Sequence, residues 1–249
     1  MSLSLHPVLG VGPIRAGDDL ASILATALRA SGPTLRDGDV LVVCQKVVSK
    51  AEGRIVDLST VEPGERAREF AERYGKDPAL VELVLREARE VLRSNDGHLI
   101  TATGPGFICA NSGIDRSNQE HGGEVTLLPV DADASARTLR AALGPAFAAD
   151  IAVIVSDTFG RPWRLGQIDF AIGAAGLEVL DDHVGRRDWS GRVLEHTVIA
   201  TADQLAAAAG LVRGKADGVP AVVVRGYDYR PGASGAAALV RPRDEDLFR

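Results

Sequence analysis

Two carboxylates stand at the ends of apolar runs. Asp157 directly follows IAVIVS, so a strand there would deliver a carboxylate and then the Thr158 hydroxyl into a glycine-rich turn. Asp115 follows FICANSGI in the same way. Oxygen atoms of this kind hold hard cations such as Mg²⁺, and two carboxylates at the ends of separate strands can converge on one ion or an ion pair. Each has a plain alternative: Asp157 caps a turn, and Asp115 pairs with Arg116 or Arg164.

Cations are concentrated in a second stretch. QKVVSKAEGR carries Lys46, Lys50 and Arg54 with Ser49 beside an apolar run. They form either a solvated face or, if they look across a cleft at Asp115 and Asp157, a phosphate site. An ammonium about 4 Å from a phosphate oxygen contributes on the order of 4 kcal/mol at an effective dielectric near 20. RPWRLGQ adds Arg161 and Arg164, whose guanidinium forks suit carboxylates and phosphates. Trp163 between them suits a core, an interface or a stacking surface.

The common nucleotide and hydrolase signatures are missing. Gly214-Lys215 is followed by Ala216 and lacks the glycine five positions before Gly214, so it is not a P-loop. Gly10-Val11-Gly12 has Arg15 where a dinucleotide fingerprint needs its third glycine. There is no HExxH or GxSxG, and His6, His98, His121, His183 and His196 are scattered. Cys44 and Cys109 lie inside apolar runs without zinc-type spacing, so neither a disulfide framework nor a zinc site is expected.

Elements able to position these groups are legible along the chain. Its 249 residues, 45% hydrophobic, suffice for one large domain or two small interlocked ones. A net charge of -6 argues against nucleic-acid or anionic-membrane partners but allows a small anionic ligand. No apolar stretch reaches the roughly 20 residues that span a bilayer, and the N-terminus lacks a leader pattern, so a cytoplasmic protein is expected. Aromatic residues are only 4%, which leaves the core to Ala, Val, Leu and Ile.

Helical spacing of Leu20, Ile23, Leu24, Ala27 and Leu28 predicts a helix over Asp18 to Arg29, capped by Asp18 or Asp19. The β-branched run VLVVCQKVVSK predicts a strand covered on both faces. Residues 62 to 92 read as two amphipathic helices broken near Asp77-Pro78. A hairpin-like pair (HLITAT, GFICANSGI), the strand VTLLPV, a helix from about Ala134 to Leu143 and the buried strand IAVIVSD follow. Glycine-rich sequence beyond Asp157 predicts tight turns, before the helix TADQLAAAAGLVRG and the strand AVVVRG. Strands and helices that do not strictly alternate favour an α+β fold with mixed sheets and flanking helices over a doubly wound one.

Taken in order, LGVGPIRAGDDL, DGDVLVVCQKVVSKAEGR, GFICANSGIDRSN, VSDTFGRPWRLGQIDFAIGAAG, the block TADQLAAAAGLVRGKADGVPAVVVRG and the terminal EDLFR resemble the coenzyme F420:L-glutamate ligase (F420-0:gamma-glutamyl ligase) family over nearly the whole chain. The combination of QKVVSKAEGR, ANSGIDRSN and SDTFGRPWR in this order and spacing is highly specific. The resemblance implies one ligase unit over residues 1–249, without a fused reductase-like domain. It implies an intertwined homodimer of α+β fold, divalent cations (Mn²⁺ or Mg²⁺) and a potassium requirement. The implied reaction joins the α-amine of L-glutamate to a carboxylate of coenzyme F420-0 through an acyl phosphate made from GTP, releasing GDP and phosphate, and adds further γ-linked glutamates.

Carried over by motif, Val11, Gly12, Pro13 and Ile14 would line the GTP site with backbone, and Gln45, Lys46, Lys50 and Asn118 would contact nucleotide. Residues Arg213, Gly214, Lys215, Ala216, Asp217 and Gly218 would form a loop closing over it. Asp115 and Asp157 would bind one metal and Thr158 a second, with Lys50 and Asp157 central to catalysis. The resemblance also implies that archaeal members carry Gln or Glu at the Lys215 position, which helps hold the second metal. An ammonium cannot coordinate a cation, so Lys215 either contacts phosphate in the ion's stead or leaves a second metal weakly held. Two rivals stand beside this reading: a ligase of the same architecture acting on another acceptor, and a noncatalytic GTP- and metal-binding regulator.

Overall fold

The computed structural model of the chain describes residues 2–95, 97–117, 122–215 and 217–246. β1 (Ser4–Val8) leads through a loop to α1 (Leu20–Ser31), β2 (Val40–Cys44), α2 (Gln45–Ala51) and β3 (Ile55–Asp57). α3 (Glu65–Tyr74) and α4 (Pro78–Glu87) are followed by β4 (Ala88–Asn95), β5 (His98–Thr103), β6 (Ile108–Ala110) and β7 (Glu124–Thr126). Then come α5 (Ala132–Phe147), the long hairpin of β8 (Ala152–Arg161) and β9 (Arg164–Ala175), and the short β10 (Asp181–Asp182) and β11 (Val198–Ile199). α6 (Thr201–Arg213) and β12 (Ala221–Arg225) complete the order.

The principal sheet runs β1-β12-β2-β8-β9. Only β2 and β8 pair in parallel; the other neighbours are antiparallel. Side chains alternate between its faces, as a strand's period of two requires. Leu41, Val43, Val153 and Val155 pack with α1 and α5, including Leu24, Leu28, Ala136 and Leu143. Val40, Val42, Ala152 and Ile154 face Ala202, Leu205, Ala206 and Ala209 of α6. Burial on both faces is why β2, β8 and β12 read as continuous apolar runs. A second region stacks α3 and α4 on the sheet β4-β5-β6 and the pair β3-β7, with small cores around Leu83 and Val125 and around Val84 and Leu99. The expected α+β class with mixed sheets and flanking helices is what forms.

Several elements differ from the sequence expectation. The apolar run from Val40 does not continue as a strand past Cys44: QKVVSKA is helical, and Gln45, Val48 and Ser49 form its buried stripe at i, i+3 and i+4. Val47 and Val48 carry a β-branched signal that tertiary packing overrides. The glycine-rich stretch after Asp157 is extended hairpin strand, not a succession of tight turns. The second amphipathic helix stops at Glu87, and Ala88 to Leu92 belong to β4. α1 is capped by Asp19, which accepts the Ser22 N–H at 3.1 Å, while Asp18 accepts the Arg15 N–H at 2.7 Å. β1 was not expected; it pairs with β12 from Ser4 to Val8. Among the described residues, no helix is long and apolar enough to cross a membrane.

Candidate active site

The site forms where β2 and β8, the parallel pair, release the chain side by side. Cys44 is paired with Ser156 at the end of the ladder, so α2 starts beside Asp157. Lys46 on its first turn reaches Asp115, with Nζ 2.8 Å from Oδ2, and donates to the Ser117 hydroxyl at 2.6 Å. Asp115 is fixed through its backbone. Its N–H and C=O exchange hydrogen bonds with Thr126 of β7 at 2.9 and 2.8 Å, and the Ser117 N–H donates to its Oδ1 at 2.6 Å.

The turn ahead of Asp115 is strained. Asn111 and Ser112 both adopt positive φ, at 52° and 54°, a conformation that costs a non-glycine residue energy and persists only where the surroundings impose it. Buried Ser112 is held by its N–H to the Thr101 hydroxyl (2.9 Å) and by its own hydroxyl to the Val84 carbonyl (2.9 Å). These bonds tie the approach to Asp115 to α4 and β5.

Asp157 shares a strand face with Val155 and Phe159 and sits opposite Phe170 of β9. Phe159 and Phe170 stack with ring centroids 5.9 Å apart. Burial pushes the Asp157 carboxyl up to about 7, and the charges of Asp115 and Asp169 push in the same direction. Burial also pushes Asp115 upward, but hydrogen bonds from Lys46 and Ser117 outweigh it and the carboxyl lies below its usual range. Asp157 lies close enough to Asp115 to feel its charge, so the structure places near each other the two carboxylates singled out from the sequence. Cys109 of β6 lies close enough to Asp157 to feel its charge. Burial, reinforced by that charge, raises the thiol to about 12.

On the opposite face of β8 is a residue that sequence reasoning missed. Asp169 of β9 is buried and stands directly across from Thr158. It accepts the Thr158 hydroxyl and pairs with Arg213, whose other nitrogen donates to Ser156 Oγ at 2.9 Å. Lys215 Nζ is 2.6 Å from Thr158 Oγ1 and 3.2 Å from Asp169 Oδ1. Gly210 of α6 permits this packing, since a Cβ there would press on the Asp169 carboxylate. The signal was an acid inside the apolar alternation IDFAI, where a lone charge needs a buried partner.

The remaining expected residues divide. Val11, Gly12, Pro13 and Ile14 lie in the loop between β1 and α1; Ile14 is buried, and a Cβ on Gly12 would meet nothing within 4 Å. That loop is tied to the end of α2 by the Gly17 N–H donating to the Ala51 carbonyl at 2.9 Å, which sets it beside Lys50. Lys50 follows Lys46 by one helical turn on α2. Buried Gln45 accepts the Ser49 hydroxyl at 2.8 Å. Arg54 is engaged away from the carboxylates, with Glu87 at 2.6 Å and the Leu128 carbonyl at 2.9 Å.

Arg213 is the buried last residue of α6, so it anchors the expected closing loop and does not belong to it. Gly214 then turns the chain with φ +63°, which lets Lys215 double back to β8; a side chain there would also collide with Asp217. Asp217 and Gly218 are exposed. Asn118 and Ala216 lie outside the described residues. Asp115 pairs with Lys46, not with Arg116 or Arg164. Arg161 and Arg164 flank the tip of the β8–β9 hairpin, where Trp163 and Leu165 are exposed.

Hard oxygen donors at Asp115 and Asp157 fit one divalent cation: a carboxyl raised to about 7 by its burial, with the charges of Asp115 and Asp169 adding to the effect, is a group short of positive charge. Among the described residues, no group of three or more His, Cys, Asp or Glu side chains forms a cluster able to hold a metal, so such an ion would draw further oxygens from substrate or water. Carboxylates interleaved with ammonium groups stand beside the end of the parallel β2–β8 ladder in this α+β protein.

Comparison with known proteins gives the family. Residues 9–226 match the family described as F420-0:gamma-glutamyl ligase. A protein of Methanothermobacter thermautotrophicus named coenzyme F420:L-glutamate ligase is 47% identical over the full length of both chains. One of the same name from Archaeoglobus fulgidus is 43% identical over all of this chain and 97% of its own. Another, from Methanocaldococcus jannaschii, is 40% identical over 86% of each. The chain belongs to the F420-0:gamma-glutamyl ligase family.

Proposed function

We propose that this protein is a ligase that joins the α-amine of L-glutamate to the carboxylate of coenzyme F420-0, then adds further γ-linked glutamates, with GTP as phosphoryl donor. The observation that carries the reading is the meeting of Lys46, Asp115 and Asp157 beside the end of the β2–β8 ladder, in a chain aligned end to end with relatives of that name.

A carboxylate is a poor electrophile. Transfer of the γ-phosphoryl group to it forms an acyl C–O–P link and releases GDP; the glutamate nitrogen then attacks the carbonyl carbon, and phosphate leaves as the amide C–N bond forms. Phosphoryl transfer needs in-line positioning and neutralisation of oxygens more than covalent help. Lys46 and Lys50 supply charge from α2, and the backbone of Val11 to Ile14 closes the nucleotide side with Gln45 beneath. A divalent ion, Mn²⁺ or Mg²⁺, held by Asp115 and Asp157 would supply Lewis acidity at the phosphate oxygens. Potassium completes the cation set.

The protein works in the cytoplasm as a homodimer. Exposed Trp163, Leu165 and Trp189 are the apolar groups such a partner would cover. Mass spectrometry after incubation with F420-0, glutamate, GTP and Mn²⁺ tests the reading: a mass increase of one or more glutamyl units is expected, with GDP and phosphate appearing only when acceptor and glutamate are both present. GDP release without them, or no change in F420-0, overturns it.

A further inference from the structure

Asp169 is engaged by two cations and a hydroxyl. Its side chain is 3% exposed and its Oδ2 pairs with Arg213, itself 6% exposed. Oδ1 accepts the Thr158 hydroxyl and lies 3.2 Å from Lys215 Nζ, which also donates to Thr158 Oγ1 at 2.6 Å. A hydroxyl and a carboxylate oxygen side by side are the donors a hard cation takes. Here an ammonium group already takes both.

We infer that Lys215 is a resident cation that fills the Thr158–Asp169 position, so that this chain holds one divalent ion, at Asp115 and Asp157, and not a second. The inference rests on the reading of those two aspartates as metal ligands. Arg213 and Lys215 together bring two positive charges to the single negative charge of Asp169. A divalent ion arriving there would meet repulsion from both and would have to displace an ammonium from its two acceptors. Asp157 points the other way on the strand, among Asp115, Lys46 and Phe170, and has no such excess of cations.

The lysine side chain is 67% exposed. Three N–H bonds on an ammonium, two of them used on Thr158 and Asp169, leave one for an anionic substrate oxygen. The position therefore supplies fixed positive charge without exchanging with solvent ions.

The test counts ions. Mn²⁺ is titrated into the full chain and the free ion measured by its electron paramagnetic resonance signal. One Mn²⁺ per chain is expected for the native protein. Two are expected for Lys215→Glu, which exchanges the ammonium for a third oxygen ligand at an exposed position, and a large loss of the first is expected for Asp157→Asn. Two ions of comparable affinity in the native protein, or a single ion in Lys215→Glu, overturns the inference while leaving the metal reading of Asp115 and Asp157 intact. No Mn²⁺ bound to the native chain, or full binding retained in Asp157→Asn, overturns that reading and the inference with it.

Discussion

Thr158 and Asp169 face each other across β8 and β9 because the hairpin slips by one residue: Val155 pairs with Gly173, but Ser156 pairs with Ala171. With uninterrupted register Thr158 would face Phe170, and Asp169 would lie opposite Phe159 on the other face of the sheet. The bulge thus delivers one carboxylate to each face of the hairpin: Asp157 toward Lys46 and Asp115, Asp169 toward Arg213 and Lys215.

Removing Asp169 separates architecture from chemistry. Asp169→Ala leaves the buried Arg213 guanidinium without its carboxylate and is expected to cost about 3–5 kcal/mol of folding stability. Thr158→Ala removes one hydroxyl from the same carboxylate and should cost only about 1 kcal/mol. Urea denaturation of both variants beside the native protein checks the contrast. Equal midpoints for the two would mean that the Asp169–Arg213 pair is not an anchor of the fold.

Asp157 makes the opposite trade. Burial, helped by Asp115 and Asp169, raises its carboxyl from 3.8 to about 7. The folded chain therefore holds a proton that the unfolded chain loses as pH passes 4. The stabilisation is complete below the unfolded value and is lost as pH climbs from about 4 through 7. Above that range the bare carboxylate is a burden on the metal-free fold. Asp157→Asn should then raise stability at pH 8 by about 1–3 kcal/mol, leave it nearly unchanged at pH 4, and eliminate both turnover and stabilisation by Mn²⁺. Thermal melts at the two pH values with and without Mn²⁺ read this directly, and a variant less stable than native at pH 8 contradicts the electrostatic account.

Much of this arrangement is legible in the sequence. Leu20 to Leu28, the β2 and β8 runs and the TADQL helix carry strong periodicity, and Asp115 and Asp157 announce themselves as acids that follow apolar runs, although β8 continues through Asp157 to Arg161 and does not end there. Two features escaped for definable reasons. Val47 and Val48 look like strand, and nothing local tells that Gln45, Val48 and Ser49 face a core that favours a helix. Asp169 follows no apolar run that would single it out, and its partner Arg213 is 44 residues away; a one-residue slip in the ladder decides which face it takes, and the alternation within β9 alone does not locate that slip.

Cys109 offers a check on the interior behind Asp157. Burial, with Asp157's charge added, lifts the thiol to about 12, so the folded chain retains the neutral form well above the ordinary thiol range. That preference stabilises the fold fully below about pH 9 and is lost as pH rises toward 12. At pH 9 the native protein should leave Cys109 unalkylated by iodoacetamide over a time in which the urea-unfolded chain reacts completely, because the thiolate is the nucleophile. Peptide mass spectrometry separates it from Cys44, which is only partly buried. Substituting Asp157→Asn removes the smaller of the two causes, so native Cys109 should remain protected. Rapid labelling in that variant would show that the carboxylate, and not enclosure by β5, β6 and β8, keeps the thiol protonated.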